Sequence, residues 1–303
     1  MINSKDLENK FKNLNGKIYF NYSLKKLNWF NIGGNTKIYF KPDTLQDLIE
    51  FLKLRKNNEN LFVVGAGSNV LFKDGIFEGT VIKLNKNFSK ISLLNENTII
   101  AGSGVVDKAL SEFAKENSLS GFEFLSCIPG TVGGGIRMNS GCFGKEFKDI
   151  LISVQAAKKN GEILTISAKD IVFGYRTCNL PKELIFLSAS FQGNKKNKEI
   201  IEEEVNILKA KKEKSQPTRV KTGGSTFKNP IEQTSKKVWE IIKDSISTEV
   251  QFGDAIISDK HANFFINKGN ATFKDMKKLI DFVREGVRAK TGINLDLEII
   301  LVE

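Results

Sequence analysis

The sequence predicts an α+β fold divided between two or three domains. The chain has 303 residues and a hydrophobic content of 40%, which is enough for two or three cores at about 100–200 residues per domain. Segments with helical periodicity alternate along the chain with short strand-like runs. No run of about 20 apolar residues occurs, so we expect no membrane span.

The first half of the chain contains two clear helices, a strand and a hairpin. A helix begins near Asp43, and its apolar residues recur at helical spacing (Leu45, Leu48, Ile49, Leu52). The run L-F-V-V at 61–64 then predicts a buried strand that ends at a glycine. A second helix begins near Asp107 and buries one apolar face (Leu110, Phe113, Ala114). Asn160-Gly161, between two strand-like arms at 154–167, indicates a β-hairpin.

A charged stretch from Lys195 to Gln216 separates this half from the remainder. Its apolar residues suit one face of a helix (Ile200, Ile201, Val205, Leu208), so we interpret its lysine cluster at 209–214 as a solvated helix face. A further helix begins at Thr272 and ends before Gly292, with one apolar face (Phe273, Met276, Leu279, Ile280, Val283, Val287). The run L-D-L-E-I-I-L at 295–301 predicts a closing strand.

Charge and composition limit the possible partners without choosing among them. The net charge of +11 attracts nucleic acids, anionic membranes and phosphorylated small molecules alike. The N-terminal segment lacks the apolar core and cleavage site of a signal peptide, so we expect a cytoplasmic protein. Three cysteines without C-x-x-C spacing and a single histidine, His261, indicate neither a disulfide framework nor a metal site.

Two glycine-rich stretches predict a site for a pyrophosphate. In G-A-G-S-N-V at 65–70, Gly65 and Gly67 permit positive φ and close approach of backbone N–H groups to a phosphate, and Ser68 and Asn69 can add hydrogen bonds. The second stretch, at 128–144, is too rich in glycine for packing alone to explain it. Neither stretch has the P-loop order, and G-S-G-V-V-D at 102–107 lacks the third glycine of the dinucleotide fingerprint. Tight turns are the alternative interpretation of each.

Six motifs occur in an order that resembles a known family. They are F-N-I-G-G-N-T (30–36), G-A-G-S-N-V-L (65–71), I-P-G-T-V-G-G-G-I-R-M-N-S-G-C-F-G (128–144), F-G-Y-R-T (173–177), G-G-S-T-F-K-N-P (223–230) and D-K-H-A-N-F-F-I-N (259–267). The set resembles the MurB family of UDP-N-acetylenolpyruvoylglucosamine reductases from about residue 20 to the C-terminus. The chain lacks an obvious extra tyrosine-bearing loop, which fits the shorter subtype of that family.

The resemblance implies a fold and a domain arrangement. Residues 1–200 form a two-lobed FAD-binding domain of the vanillyl-alcohol-oxidase (PCMH) type, with lobes at about 20–84 and 85–200. Residues 201–303 form an α+β substrate-binding domain whose last strand returns to the active site.

The implied reaction is the NADPH-dependent, FAD-mediated reduction of UDP-N-acetylenolpyruvoylglucosamine to UDP-N-acetylmuramate, a step in peptidoglycan precursor synthesis. The partners are then the UDP-sugar and NADPH, with no nucleic acid or membrane, and we expect a monomer. The FAD half contains no histidine, which favours noncovalent FAD, although Cys127 and Cys142 remain open as unsupported attachment points.

The resemblance also assigns residues to the cofactor. Both glycine-rich stretches carry the expected FAD contacts (Gly65, Ala66, Gly67, Ser68, Asn69, Pro129, Gly130, Thr131, Gly133, Gly134, Asn139, Gly141). One departure is Asn31, which stands where the family usually has an arginine, so the role of that position is open.

The expected catalytic residues are Ser225, Arg176 and Glu298. Hydride delivered to an enol ether leaves negative charge on the neighbouring carbon and its carboxylate, so the site must stabilise an enolate and then supply a proton. Ser225 is the expected proton donor, and the Arg176 guanidinium can hold the carboxylate. Apolar neighbours of Glu298 can desolvate its carboxylate and raise its pKa, which suits proton handling or pairing with Arg176. From the residues alone, each of the three also suits a turn or a strand surface.

Four further residues are expected to line the substrate (Tyr175, Lys228, Asn229, His261), with no metal at the site. Two other functions stay open. One is a different FAD-dependent oxidoreductase of the same fold. The other is a basic nucleic-acid-binding protein, which is suggested by the charge and by 23 phenylalanines that could stack on bases. Most of these phenylalanines, such as Phe113 and Phe273, lie in apolar patterns that favour core packing.

Overall fold

The computed structural model describes residues 9–55 and 59–303. Its helices are α1 (Leu45–Leu54), α2 (Asp107–Glu116), α3 (Val132–Met138), α4 (Lys198–Ser215), α5 (Val238–Ser245) and α6 (Phe273–Thr291). Its strands are β1 (Lys17–Ser23), β2 (Asn35–Lys41), β3 (Asn60–Val63), β4 (Val70–Phe72), β5 (Ile76–Ile82), β6 (Ile91–Asn95), β7 (Thr98–Gly102), β8 (Leu119–Ser120), β9 (Gly141–Cys142), β10 (Lys145–Glu146), β11 (Leu151–Ala157), β12 (Ile163–Ser167), β13 (Phe173–Gly174), β14 (Thr177–Cys178), β15 (Ile185–Gln192), β16 (Asn194–Lys195), β17 (Thr222–Ser225), β18 (Gln251–Phe252), β19 (Ala255–Ile257), β20 (Phe264–Asn267) and β21 (Ile300–Val302). Among the described residues, no helix combines the length and apolar character that a bilayer span requires.

The chain divides into two compact units. Unit 1 consists of the described parts of Met1–Tyr22, Thr36–Ala66 and Glu78–Lys211, and unit 2 consists of Ser23–Asn35, Gly67–Phe77 and Lys212–Glu303. The mixed α/β content agrees with the predicted fold class. The predicted domain boundary at 200/201 lies within helix α4 and stays a prediction.

Unit 1 contains two sheets and two apolar cores, the first of which includes residues of both sheets. One sheet has the order β1-β2-β5-β3, with β3 and β5 parallel, and the other has the order β12-β11-β15-β7-β6. Helix α1 packs Leu48 and Phe51 into the first core, and α2 packs Leu110 and Ala114 into the second. The predicted hairpin is confirmed, since β11 pairs antiparallel with β12 and Gly161 has φ +84° in the turn.

Unit 2 is built on the sheet β17-β20-β19-β18 together with helices α5 and α6. The side chain of Thr272 caps the N-terminus of α6 by accepting a hydrogen bond from the N–H of Asp275, and Gly292 ends the helix with φ +74°. All six residues predicted for its apolar face are buried. A separate parallel pair, β4 with β21, completes the unit.

Three expectations about local structure are wrong. The glycine-rich stretch contains helix α3, and a Cβ on Gly135 would overlap the ring of Phe147, so close packing does explain a glycine there. In helix α4, Ile201 and Val205 are buried while Ile200 is exposed, because adjacent residues lie about 100° apart around a helix.

The predicted strand at 295–301 is also shorter than expected. Regular pairing begins only at Ile300, and Leu297 forms an isolated bridge to Phe227. Leu295 and Ile299 are buried, and Leu297 and Leu301 pack partly buried against the same unit 2 core, as period two predicts for one face of an extended segment. The apolar face is therefore confirmed, and only the length of the regular pairing differs from the prediction.

Candidate active site

The two predicted cofactor loops contact each other in unit 1. A Cβ on Gly65 would overlap the hydroxyl oxygen Oγ1 of Thr131. Gly65 lies just after strand β3, and Thr131 directly precedes helix α3. Glycine at position 65 therefore leaves room for the Thr131 side chain to pack against the backbone of the first loop. The two stretches predicted separately thus meet at Gly65 and Thr131.

Glycines of the second stretch pack against residues before and within α2. A Cβ on Gly130 would overlap Oδ2 of Asp107, and one on Gly133 would lie 3.0 Å from the Cβ of Ser103. By contrast, Gly134 is exposed, and its Cβ would meet only Thr131, at 3.7 Å. Close packing therefore explains Gly130 and Gly133, whereas Gly134 is the glycine with open space beside it.

Asp107 is a buried acid that packs against Gly130 of this stretch. Its side chain is fully buried, and neither carboxyl oxygen has a partner among the residues that the structure describes. Burial raises the pKa of Asp107 well above the usual value of a carboxyl. Because the residue opens helix α2, the positive end of the helix favours the carboxylate, but desolvation dominates.

The first predicted loop is divided between the units. Gly65 and Ala66 belong to unit 1, and Gly67, Ser68 and Asn69 belong to unit 2. Gly67 has φ +70°, and a Cβ there would overlap the carbonyl of Leu27. The Gly67 carbonyl accepts a hydrogen bond of 3.0 Å from the N–H of Trp29. Gly67 is therefore required for packing in unit 2 in addition to any contact with a cofactor.

Asn31 occupies the left-handed region of backbone space. Its φ is +56°, and its N–H donates to the carbonyl of Asn28. Asparagine adopts this conformation more readily than most residues with a side chain. The departure from arginine is therefore compatible with the local backbone.

Arg176 lies in the tight turn of a two-stranded hairpin in unit 1. Strands β13 and β14 pair antiparallel around Tyr175 and Arg176, and Arg176 has φ +55°. Its Nη2 donates to the carbonyl of Gly141 at 2.9 Å, and the guanidinium lies 5.0 Å from the centre of the half-buried Tyr175 ring. A long residue in this conformation is uncommon and costs conformational energy. Side-chain contacts hold the guanidinium in place.

Glu146 is a residue near the candidate site that the sequence did not single out. Its Oε1 lies 3.9 Å from Nη1 of Arg176, and its Oε2 accepts a 2.9 Å hydrogen bond from Nδ2 of Asn139. Nζ of Lys148 lies 2.8 Å from the same Oε2. The structure thus brings together the predicted residues Asn139, Gly141 and Arg176. Glu146, which contacts both Asn139 and Arg176, lies two residues beyond the end of the motif at 128–144, so no motif in the sequence marks it.

The glycine pair before Ser225 has a structural explanation in unit 2. A Cβ on Gly223 would overlap the ring of Phe30, and Gly224 has φ +79°. Strand β17 pairs with β20 at Thr222 and again at Ser225, with a register shift between the two. A bulge of this kind redirects the chain. The glycine pair therefore sets the direction of the backbone at the half-buried Ser225, the last residue of β17.

A buried asparagine holds the backbone just after Ser225. Oδ1 of Asn263 accepts the N–H of Phe227 at 3.0 Å, and its Nδ2 donates to the Phe227 carbonyl at 2.8 Å. The Asn263 carbonyl accepts the N–H of Thr226 at 2.8 Å. Asn263 is 1% exposed. The matched motif at 259–267 contains Asn263. A single side chain that binds the backbone of another segment produces no periodic pattern, so the sequence did not show this role. We call this pair of hydrogen bonds to Phe227 the Asn263 clamp.

Glu298 lies beside the same segment. Its N–H donates to the carbonyl of Thr226 at 2.8 Å, and its own carbonyl accepts a 2.9 Å hydrogen bond from Nδ2 of Asn69. The Asn69 carbonyl in turn accepts the N–H of Ile300 at 2.9 Å. The structure therefore brings Asn69, predicted for the cofactor, next to the predicted catalytic residue Glu298. Ser225 and Glu298 lie in unit 2, whereas Arg176 lies in unit 1.

The other expected substrate residues have contacts of their own within unit 2. The N–H of Lys228 donates to the carbonyl of Asp296 at 2.8 Å. Oδ1 of Asn229 accepts the N–H of Val238 at 3.0 Å, at the start of helix α5. Backbone pairing thus fixes the start of the Lys228 side chain, and Asn229 has a structural role besides any contact with substrate.

His261 packs against aromatic rings and accepts a backbone hydrogen bond. Its ring centre lies 4.7 Å from that of Phe264, and its Nδ1 accepts the N–H of Asn263 at 3.2 Å. Desolvation, with a smaller contribution from the charge of Lys243, lowers the pKa of His261. The neutral ring therefore carries its proton on Nε2. Its contact with substrate stays a prediction.

Comparison with known proteins places both parts of the chain. Residues 216–302 match the family model described as the C-terminal domain of UDP-N-acetylenolpyruvoylglucosamine reductase, and residues 36–167 match a model described as an FAD binding domain. The chain is 61% identical over 291 residues to the UDP-N-acetylenolpyruvoylglucosamine reductase of Pelagibacter ubique, covering 96% of both chains. It is 42% identical to the reductase of Rickettsia canadensis, covering 94% of this chain and 95% of the relative.

A solved structure has the same overall fold. The crystal structure of the MurB enzyme from Thermus caldophilus superposes with a TM-score of 0.81 at 28% sequence identity, covering 96% of this chain and 100% of that one. Both halves of the chain and nearly its full length are thus accounted for by one family. The chain belongs to the UDP-N-acetylenolpyruvoylglucosamine reductase family.

Proposed function

We propose that the protein catalyses the NADPH-dependent, FAD-mediated reduction of UDP-N-acetylenolpyruvoylglucosamine to UDP-N-acetylmuramate. The observation that carries this proposal is the 61% identity, across 96% of both chains, to a reductase of that name. Family membership favours an enzyme over the nucleic-acid-binding alternative. The proposal includes a cytoplasmic monomer that supplies UDP-N-acetylmuramate for peptidoglycan precursor synthesis.

The residues present fit an FAD cofactor. Gly65 packs directly against the Thr131 hydroxyl and so brings the two glycine-rich loops together, and the backbone N–H groups of such loops suit a pyrophosphate. We assign the cofactor to the two loops that meet there, including the exposed Gly134. When bound there, FAD would supply the redox chemistry that connects NADPH oxidation to reduction of the enolpyruvyl double bond. Noncovalent binding is part of the proposal.

Ser225 completes the reduction by giving its hydroxyl proton to the carbon next to the carboxylate. A serine hydroxyl is a weak acid, so it can act only on a strongly basic carbanion and only from a fixed position. The bulge at Gly223 and Gly224, followed by the Asn263 clamp, supplies that fixed position. The half-buried Lys228, on the same segment, provides a cation for the substrate.

Arg176 holds the substrate carboxylate and stabilises the negative charge that develops on it. A planar guanidinium can form two parallel hydrogen bonds with a carboxylate. Contacts with Gly141 and Glu146 on one side leave the planar group oriented before substrate arrives, which reduces the entropy lost on binding. Glu298 handles a proton at the reaction centre, and Tyr175, Asn229 and His261 contact the rest of the substrate.

The two half-reactions can be separated by anaerobic stopped-flow measurements. The purified protein should contain flavin that NADPH bleaches and that the enolpyruvyl UDP-sugar reoxidises. In Ser225→Ala, the reductive step should keep its rate while substrate-dependent reoxidation falls by about 10²–10⁴-fold.

Ser235→Ala, at an exposed serine of the same unit, is the matched control and should behave as wild type. Flavin that NADPH reduces but this UDP-sugar fails to reoxidise would contradict the proposed substrate. Reoxidation at the wild-type rate in Ser225→Ala would contradict only the role of the serine.

A further inference from the structure

Glu298 lies where regular strand pairing is missing. Strand β21 starts only at Ile300, and the nearest pairing before it is the isolated bridge between Leu297 and Phe227. In a regular strand, the hydrogen-bond ladder fixes the direction of every side chain. At Glu298 the backbone must be fixed by individual hydrogen bonds instead.

Those hydrogen bonds come from two sides within unit 2. The Glu298 N–H donates to Thr226, one residue after Ser225, at 2.8 Å. The Glu298 carbonyl accepts Nδ2 of Asn69 at 2.9 Å, and the Asn69 carbonyl accepts the N–H of Ile300 at 2.9 Å. The Asn69 side chain therefore takes the place of one hydrogen bond between strands, and the Asn69 backbone carbonyl accepts the next one.

We propose that Asn69 is a positioning residue that fixes the backbone of Glu298 for the proton-handling step. The inference rests on the proposed function, because it assigns Glu298 to that step. The amide nitrogen of Asn69 donates one of its two N–H groups to the Glu298 carbonyl. Only Asn or Gln carries a neutral amide donor, and the shorter side chain of Asn matches this separation.

The placement of Asn69 explains why an asparagine follows the glycines and Ser68. The stretch 65–68 is lined by backbone and small side chains, which suits a phosphate. One residue later the chain enters strand β4, whose parallel partner is β21. Asn69 thus lies at the junction between the predicted cofactor loop and the strand pair that ends beside Glu298.

The test uses the flavin-loaded enzyme and the isosteric variant Asn69→Asp. The substitution replaces the amide donor by a second acceptor, which faces the Glu298 carbonyl and repels it. The rate of flavin reoxidation by the enolpyruvyl UDP-sugar should fall roughly 3- to 10-fold. The rate of flavin reduction by NADPH should stay within roughly twofold of wild type.

Ser68→Ala is the comparator from the same loop, since it removes a side chain assigned to the cofactor and should weaken FAD binding. Glu298→Gln supplies a second background. If Asn69 acts through Glu298, then Asn69→Asp should slow reoxidation much less in Glu298→Gln than in wild type, because the carboxylate that it positions is already neutral. Asn69→Ala replaces Asn69→Asp in each measurement if the aspartate variant does not fold.

Three outcomes would overturn the inference. The first is weakened FAD binding with unchanged half-reactions, which makes Asn69 a cofactor ligand. The second is an equal fall in both half-reactions, and the third is full additivity with Glu298→Gln. Wild-type flavin that the UDP-sugar does not reoxidise would instead contradict the proposed function, so the two failures are distinguishable.

Discussion

Two buried polar side chains, one in each unit, are held in opposite ways. Asn263 in unit 2 is 1% exposed, and its amide makes hydrogen bonds to both the N–H and the carbonyl of Phe227. Asp107 in unit 1 is 0% exposed, and its carboxyl has no partner among the described residues. Each contacts a segment assigned to the active site. Asn263 binds Phe227, the residue before Lys228, and Asp107 packs against Gly130.

The difference shows how burial acts on a polar group. A satisfied amide adds rigidity, because removing it leaves other buried groups without partners. An unsatisfied carboxyl avoids the cost of a buried charge by keeping its proton, which is why the pKa of Asp107 is raised. The Asn263 clamp therefore stabilises the folded unit. Buried Asp107, by contrast, lowers the stability of the folded state at any pH where its carboxyl is ionised in the unfolded chain.

Breaking the clamp should have the largest effect on stability. In Asn263→Ala, the N–H and carbonyl of the fully buried Phe227 lose their partners. At about 1–3 kcal/mol for each of these two unsatisfied buried groups, we expect the free energy of unfolding to fall by roughly 2–6 kcal/mol. Thermal and urea unfolding measure the change.

Asn270→Ala is the control, since Asn270 is an exposed asparagine on the same unit and should change little. Equal losses in both variants would show that the Asn263 clamp has no special contribution.

Crowding Asp107 should have an intermediate effect. A Cβ in Gly130→Ala would overlap its carboxyl oxygen, and overpacking of this kind costs about 1–3 kcal/mol. The cost should decrease in an Asp107→Ala background, where the overlap is removed. Unfolding of the flavin-free single and double variants gives the coupling energy.

Gly134→Ala is the matched control, because its Cβ would meet only Thr131, at 3.7 Å. A Gly130→Ala cost that is unchanged in the Asp107→Ala background would locate the strain elsewhere.

Neutralising Asp107 should produce a smaller, pH-dependent gain in stability. The folded protein holds a proton that the unfolded chain releases above the ordinary carboxyl pKa of 3.8. The stability of the wild type therefore falls as the pH rises from that value toward the raised pKa of the folded state. Asp107→Asn removes this linkage, so its melting temperature should exceed that of wild type at neutral pH.

The difference in melting temperature should shrink as the pH approaches 3.8. Glu162→Gln, at an exposed acid of the same unit, is the control and should give no such gain at neutral pH. A neutral-pH loss of stability in Asp107→Asn would show that the carboxylate is ionised and has a partner.

Local signals in the sequence were sufficient for several elements. Helix α6 carries a capping threonine at its start, an apolar face and a terminal glycine, so its bounds could be read directly. The hairpin at Asn160-Gly161 follows from turn chemistry alone. These features depend on residues within a few positions of one another, which is the range over which periodicity and capping operate.

Long-range contacts account for what the sequence did not show. The pattern at 295–301 predicts a strand with one apolar face, but regular pairing is limited to Ile300–Val302, where β4 lies alongside, and depends on residues more than 200 positions away. Gly135 looked like part of a flexible loop until the ring of Phe147 accounted for its missing side chain. Glu146 carries no motif signal, and its relevance depends on a contact with Arg176, 30 positions later in the chain.

By itself, the sequence determined the α+β class, the caps of its clearest helices and the ordered motifs that place the chain in a reductase family. Those properties reside in local backbone preference and in residue identity, and both are present before folding. Only the tertiary structure decided which polar groups would be satisfied. Asn69 binds the carbonyl of Glu298 and Asn263 binds the backbone of Phe227, while Asp107 is buried without a partner among the residues that the structure describes. A hydrogen bond needs its two atoms within about 3 Å, and between residues distant in the chain that separation exists only after the core has packed.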